Sequence, residues 1–242
     1  VMMSAGAAEN AGVPRGQWVF PHAGVGAHDH WYATNRWAMH ESPAMRLAGS
    51  RALELASLGV DDLRFIDLYS CFPAAVQVAQ AELGIGRERD FTVTGGLTFA
   101  GGPLNCYCML SLVRTVELLR EQPRERALVT GNGGFFTKHS FVVLAAEPPS
   151  SGFVTDTVQA QVDALPSRPA STGGDGDSII EAYTVSYGRD GSPEEAILAC
   201  LDQDGGRRWV SSDDADLCAA LISEDHCGRV AHVAGRTASI VT

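Results

Sequence analysis

Two glycine pairs, four residues apart and closed by a proline, constrain this chain more than any other feature. They lie in FTVTGGLTFAGGPLNCYCMLSLVRTVELL, Phe91 to Leu119. A short β-prone run, Phe91 to Thr94, enters Gly95-Gly96, and Gly101-Gly102 leads into Pro103. Glycines permit positive φ and close backbone approach. A proline suits the first turn of a helix, where its missing N–H is not needed. The pattern predicts a helix over 103–121 with Leu104, Cys108, Leu112, Val116 and Leu119 on one face. Tyr107, Leu110, Val113 and Leu118 fall elsewhere around it. A helix apolar nearly all round expects cover on more than one side. Its N-terminus, crowded by glycines, is a usual place to handle an anion or oxyanion.

Around this stretch, strands alternate with helices. Val1-Met-Met reads as a strand in progress, followed by a small helix through 5–11 and a strand over 17–24 interrupted by Pro21. Ser42-Pro43 supplies an N-cap and a first-turn proline for a helix with Ala44, Ala48, Ala52 and Leu55 inward and Gly59 as its stop. A nearly continuous apolar run over 63–68 predicts a strand covered on both faces. Pro73 opens the next helix, with Val76, Ala79 and Leu83 inward and Gly84 as its stop. Strands over 126–130 and 141–146, joined through Asn132-Gly133, form an antiparallel hairpin. This alternation indicates a mixed α/β layer structure.

After Pro148 the pattern changes. Residues 149–153 read as a linker between a first domain, 1–148, and a second, 154–242. Polar Gly/Ser/Pro/Asp residues over 166–177 make a loop. Strands are expected over 179–187, 196–201, 207–210, 229–233 and 238–241, with a helix over 213–222. Short strands with regular turns suggest a small antiparallel β-barrel.

Composition narrows the function classes. A net charge of −11 argues against a general nucleic-acid partner. Arg207-Arg208 is too small a basic patch to change that. No apolar run approaches the roughly 18 residues of a membrane span. Six cysteines, at 71, 106, 108, 200, 218 and 227, show no paired CxxC spacing. They read as reduced thiols of a cytoplasmic protein rather than a zinc site. His22, His28, His30 and His40 are too irregularly spaced for a metal site, and none is expected.

The glycine stretch resembles the GG-(x)4-GHP-(x)-G segment that opens the central helix in the C-terminal half of a thiolase. Asp67-Leu-Tyr-Ser-Cys-Phe72 resembles the strand-end NEAF motif, closer to the HDCF form of sterol-carrier-type thiolases. Val129-Thr-Gly-Asn-Gly-Gly134 resembles the late CxG turn. The resemblance covers Val1 to Pro148, and the remainder resembles the extra C-terminal domain of type 1 thiolase-like proteins. It implies a half-domain with a five-stranded mixed sheet covered by helices, then an OB-like barrel. It also implies that the chain is a fragment, whose partner is an N-terminal thiolase half on the same or a separate polypeptide.

The resemblance carries chemistry with it. In thiolases a cysteine of the missing half takes the acyl group, and the GHP histidine activates it. The CxG cysteine moves the substrate proton, and NEAF or HDCF residues support an oxyanion hole. Here Gly102 stands at the histidine, Gly131 (or, one register on, Asn132) at the cysteine, and Tyr69 and Ser70 at Asn-Glu or His-Asp. Cys71 matches a position that is not the nucleophile and reads as a packed small residue. His40, Cys71, Asn105, Asn132 and His139 are the candidates for lining a substrate pocket, with His139 also readable as a solvated strand-edge residue. The expectation is an acetyl-CoA-acetyltransferase-type protein of lipid metabolism that handles an acyl-CoA thioester, with standard thiolysis absent or very slow. The alternative is a non-catalytic scaffold that binds acyl-CoA or a protein. Coenzyme A thioester is the expected ligand, and no covalently bound cofactor is expected.

Overall fold

A computed structural model describes residues 1–102, 104–235 and 237–241. In chain order the elements are α1 (Ala5–Asn10), β1 (Phe20–His28), α2 (Pro43–Leu55), β2 (Phe65–Asp67), α3 (Pro73–Leu83), α4 (Leu97–Ala100), α5 (Tyr107–Glu121), β3 (Arg126–Gly133), β4 (Lys138–Ala145), β5 (Val154–Thr157), α6 (Gln159–Asp163), β6 (Gly176–Tyr187), β7 (Pro193–Leu201), β8 (Arg207–Ser212), α7 (Ala215–Ser223), β9 (Val230–Ala234) and β10 (Thr237–Ile240). They separate into two compact units: 1–31 with 40–165, and 32–39 with 166–242.

The first unit is built on a five-stranded mixed sheet in the order β2-β3-β4-β1-β5. β3, β4 and β1 are antiparallel neighbours, while β2 and β5 join the two edges in parallel. Alternation along the strands sends Leu128, Phe141 and Val143 to the face covered by α2 and α3, and Ala127, Val129 and Leu144 to the face of α5.

Local chemistry explains most boundaries. The Ser42 hydroxyl accepts from Met45 N–H and Pro43 fills the first turn of α2. Gly49 lets α2 seat closely, since a Cβ there would lie 2.1 Å from a Leu83 methyl. α2 ends earlier than Gly59: Ser57 takes the left-handed position after the helix, at φ 56°. α3 ends as expected, with Gly84 at φ 66°.

The fifth strand of this sheet is not Val1–Met3, which is exposed and joins no ladder among the described residues. It is β5, and Ala23 to Gly26 pair with Val154 to Thr157. The division at 148–154 therefore fails. Residues 154–165 belong to the first unit, and the boundary falls at Pro166. An edge strand with one exposed face reads in sequence like the start of a new β domain, which is why the two were confused.

In the second unit five antiparallel strands run in the order β10-β9-β6-β7-β8. α7 packs Leu217, Cys218 and Leu221 onto Ile180, Leu198 and Val210. β8 and β10, the sheet's two edges, come within 8 Å of each other. No ladder joins them among the described residues, so the sheet does not close by pairing.

Candidate functional site

The glycine stretch, the 67–72 motif and the 129–134 turn meet around the start of α5, and Asp67 at the end of β2 ties the first two together. Its carboxylate is fully buried. It accepts from Val93 N–H at 2.9 Å, Thr92 Oγ1 at 3.0 Å and Tyr107 OH at 3.0 Å. Thr94 Oγ1 lies 2.8 Å from the same phenol. One carboxylate thus pins the strand-like entry to the glycine pairs and the first residue of α5. Gly95, Gly96 and Gly101 then turn the chain at φ 83°, 76° and 84°.

Helix α5 begins at Tyr107, four residues later than predicted. Pro103, the expected first-turn residue, lies outside the described residues. The buried stripe is also rotated from the predicted one. Tyr107, Ser111, Thr115 and Leu119 face the sheet. Small hydroxyl residues at 111 and 115 bring the helix close to Ala127 and Val129, and Leu112 and Val116 fall to the flanks. Met109, Leu110 and Val113 are exposed, at 55%, 39% and 52%.

Tyr69 and Ser70 lie beside this assembly. The Tyr69 ring meets that of Tyr107 edge-on at 5.2 Å, and its N–H donates to Thr130 Oγ1. Burial, with the Cys108 and Cys71 thiols nearby, pushes its phenol up. Ser70 Oγ accepts from Leu97 N–H at 3.0 Å and helps line a cavity of about 310 Å³ with Leu68, Phe91, Thr92 and Gly96.

Gly131 and Asn132 point to opposite faces of the sheet. Gly131 faces α5 and is walled in: a Cβ there would lie 2.5 Å from Ser140 Oγ and 3.2 Å from Cys108 Sγ. Asn132 faces the other way and donates from Nδ2 to Cys71 Sγ at 3.4 Å. Gly102, in contrast, is exposed, and a Cβ there would make only ordinary contact with Leu97 at 3.6 Å. Burial raises the thiol pKa of both Cys71 and Cys108; the charge of Asp67 adds to it at Cys108. Both thiols are therefore held protonated at neutral pH, which disfavours them as nucleophiles.

The remaining candidates lie apart. Asn105 is exposed in the turn before α5. His40 is a surface residue, its side chain 82% exposed, 3.5 Å from the neighbouring Glu41. His139 is not a solvated strand-edge residue: its side chain is completely buried. Its Nε2 lies 3.2 Å from both Asp29 Oδ2 and Ser42 Oγ. Ser42 Oγ donates to the same Asp29 oxygen at 2.5 Å, and Asp29 Oδ1 accepts from Ala44 N–H. One ring nitrogen serves both partners, and the other, Nδ1, meets no hydrogen-bond partner among the described residues. This is a polar tie between β1, β4 and the start of α2, not a relay. Strand parity in the 138–145 run carried the signal, since His139 alternates with the core residues Phe141 and Val143. Among the described residues no three His, Cys, Asp or Glu side chains converge as a metal site. Among the described residues no helix is long and apolar enough to cross a membrane.

Comparison with known proteins agrees with this architecture. A solved structure, that of a monomeric SCP2-thiolase-like protein type 1 from Mycobacterium smegmatis, superposes with a TM-score of 0.90 at 33% identity. The match covers 99% of this chain and 54% of that one, so the chain spans about half the length of that relative. No curated protein sequence matches it. Fold and glycine-lined site thus point to the class that the chain is similar to, thiolase-like proteins. Within that class, residues 157–236 match the family described as the thiolase-like protein type 1 additional C-terminal domain.

Proposed function

We propose that this chain is the C-terminal part of an acyl-CoA-handling, acetyl-CoA-acetyltransferase-type protein that works without the standard thiolase acid and base. The observation that carries this reading is the contrast between Gly102 and Gly131. Neither supplies a proton-transfer group, and position 131 is walled by Ser140 and Cys108 against regaining one. The cavity of about 310 Å³ beside Ser70 and the first glycine pair, Gly95-Gly96, is the space offered to a small acyl group. An N-terminal thiolase half is the partner, covering the exposed side of α5. The second sheet with α7 is read as an open relative of the OB-like barrel, and six free thiols suit a cytoplasmic setting.

A second reading, a non-catalytic acyl-CoA-binding or protein-interaction scaffold, is favoured by one fact. Both thiols at the site, Cys71 and Cys108, are raised in pKa. Incubating the intact protein with acetoacetyl-CoA and free coenzyme A separates the readings. Losing a positioned acid or base lowers rates by roughly 10²–10⁴-fold. Thiolysis slower than an ordinary thiolase by that factor or more is expected, and Gly102→His alone should not restore it. Ordinary turnover overturns the proposal. Binding of the thioester with no product, and no acylated cysteine by mass spectrometry, selects the scaffold.

A further inference from the structure

Residues 32–39 belong to the second unit, although in the chain they run between β1 and α2. Within that unit they lie on a constellation of side chains built for peptide carbonyls. Arg207 opens β8, and its side chain is completely buried. Nε and Nη2 donate to the two carboxylate oxygens of Glu181 on β6, at 2.6 and 2.7 Å. That fork fixes the guanidinium plane, as bidentate pairs do. Nη1 is then aimed at the carbonyl oxygens of Ala33, Thr34 and Arg36, at 3.0, 2.7 and 2.5 Å, and Nη2 reaches that of Trp37 at 3.4 Å. Ala33–Asn35 form a single 3-10 turn. Ala33 O closes that turn by accepting from Arg36 N–H at 3.2 Å, and the carbonyls of Thr34 and Arg36 fall beyond this bond. Arg207 donates to all three from about 170 positions away.

Arg168 and Trp209 read the same segment. Arg168 Nε donates to Trp37 O at 2.7 Å while its guanidinium stacks 4.3 Å over the Trp37 ring. Its backbone exchanges hydrogen bonds with Asn35, N–H to the Asn35 carbonyl at 3.0 Å and carbonyl from Asn35 Nδ2 at 2.9 Å. Trp209 Nε1 donates to Thr34 Oγ1 at 3.0 Å. The receiving residues, Arg168, Glu181, Arg207 and Trp209, all fall inside 157–236, the stretch matched as an additional C-terminal domain. The received segment falls outside it. Without these carbonyls the buried Nη1 would lose the acceptors it is aimed at, and Glu181 alone would offset the desolvation of the guanidinium. The receptor is therefore built to be occupied.

We propose that the second unit is a peptide-binding module whose resident ligand is the chain's own segment 32–39, recognised through its carbonyls by Arg207 and Arg168 and through Thr34 by Trp209. The ligand class is a short turn-forming peptide with a hydroxyl and, three residues on, an aromatic side chain. Tethering raises the effective concentration of the segment and keeps the site filled.

The test uses the whole chain. In one variant residues 33–37 are replaced by five Gly/Ser residues, and a labelled synthetic peptide spanning 30–41 is titrated. The peptide is expected to bind this variant at least tenfold more tightly than the unaltered chain, whose site is occupied, and a Thr34→Val peptide is expected to bind more weakly. Equal binding to both chains, or to neither, overturns the proposal. If the replaced chain does not fold, amide exchange of Trp209→Phe and Arg207→Lys decides. Exchange at Asn35 and Arg36 is expected to quicken at least threefold while β7 is unchanged. The lysine keeps the charge but loses the fork. Unchanged exchange at Asn35 and Arg36 in both variants overturns the proposal.

Discussion

At the scale of single residues, Asp67 organises the candidate site. It accepts three hydrogen bonds from the glycine stretch, two at its entry and one at the start of α5, while wholly buried. Asp67→Ala would strand Val93 N–H and two hydroxyls, and each buried unsatisfied group costs about 1–3 kcal/mol. Asp67→Asn keeps one acceptor for Val93 N–H, and the Tyr107 hydroxyl can turn to accept from the new amide. Urea unfolding is expected to show a loss of about 2–5 kcal/mol for Asp67→Ala and less than half of that for Asp67→Asn. Amide exchange of 92–97 should quicken in the alanine variant alone; equal losses would remove Asp67 from this role. The sequence made the glycines and motif positions legible, because glycine at a turn is a backbone requirement. Asp67 stood inside a quoted motif without a role, because its three donors come from residues 25 to 40 positions away. The burial of His139 is hidden from the sequence for the same reason: its partners Asp29 and Ser42 lie 110 and 97 positions distant.

At the scale of elements, periodicity located the helices and most strands, and tertiary pairing decided what they joined. The pattern over 196–201 and 207–210 marks β7 and β8, because alternate residues enter one core. Nothing local in 154–157 says that it pairs with β1 rather than with the strands that follow it. The rotation of α5 was hidden too: Ser111 and Thr115 were passed over in favour of larger apolar neighbours, yet small residues are what a close helix–sheet approach selects. Strand β7 also carries a testable group. Cys200 is fully buried, and burial pushes its thiol up to about 11 from 9.0, with Arg208 opposing. The folded pKa lies above the unfolded one, so this contribution is fully present below pH 9 and is lost as pH rises towards 11. Stability of the second unit is expected to fall over that window, and Cys200→Ala should flatten the fall while lowering stability at pH 7. An unchanged slope in the alanine variant would assign the alkaline loss to other groups.

At the scale of the whole molecule, the first unit exposes more large apolar side chains around its site than an ordinary surface requires. Phe72, Phe99, Leu104 and Phe135 are 69%, 84%, 89% and 85% exposed, alongside Met109, Leu110 and Val113 on α5. Burying such a side chain is worth about 1.5–3 kcal/mol, so covering this surface is worth as much as the stability of a typical domain. An apolar surface of this extent around a site marks an interface. The partner proposed for it is an N-terminal thiolase half, and the site's exposed glycine position, Gly102, lies in the same region of the chain. Val1 to Thr242 alone is expected to bind an apolar-surface dye, and a supplied N-terminal half should suppress that signal. The decisive variant is Met109→Lys with Val113→Lys. Both residues point away from the sheet, so the chain's own unfolding midpoint should move by no more than a surface substitution does, about 0.5 kcal/mol each. The dye signal and the association with the N-terminal half should both be lost. A destabilisation of several kcal/mol instead would mean that these residues are already covered by the chain itself, and the surface would not be an interface.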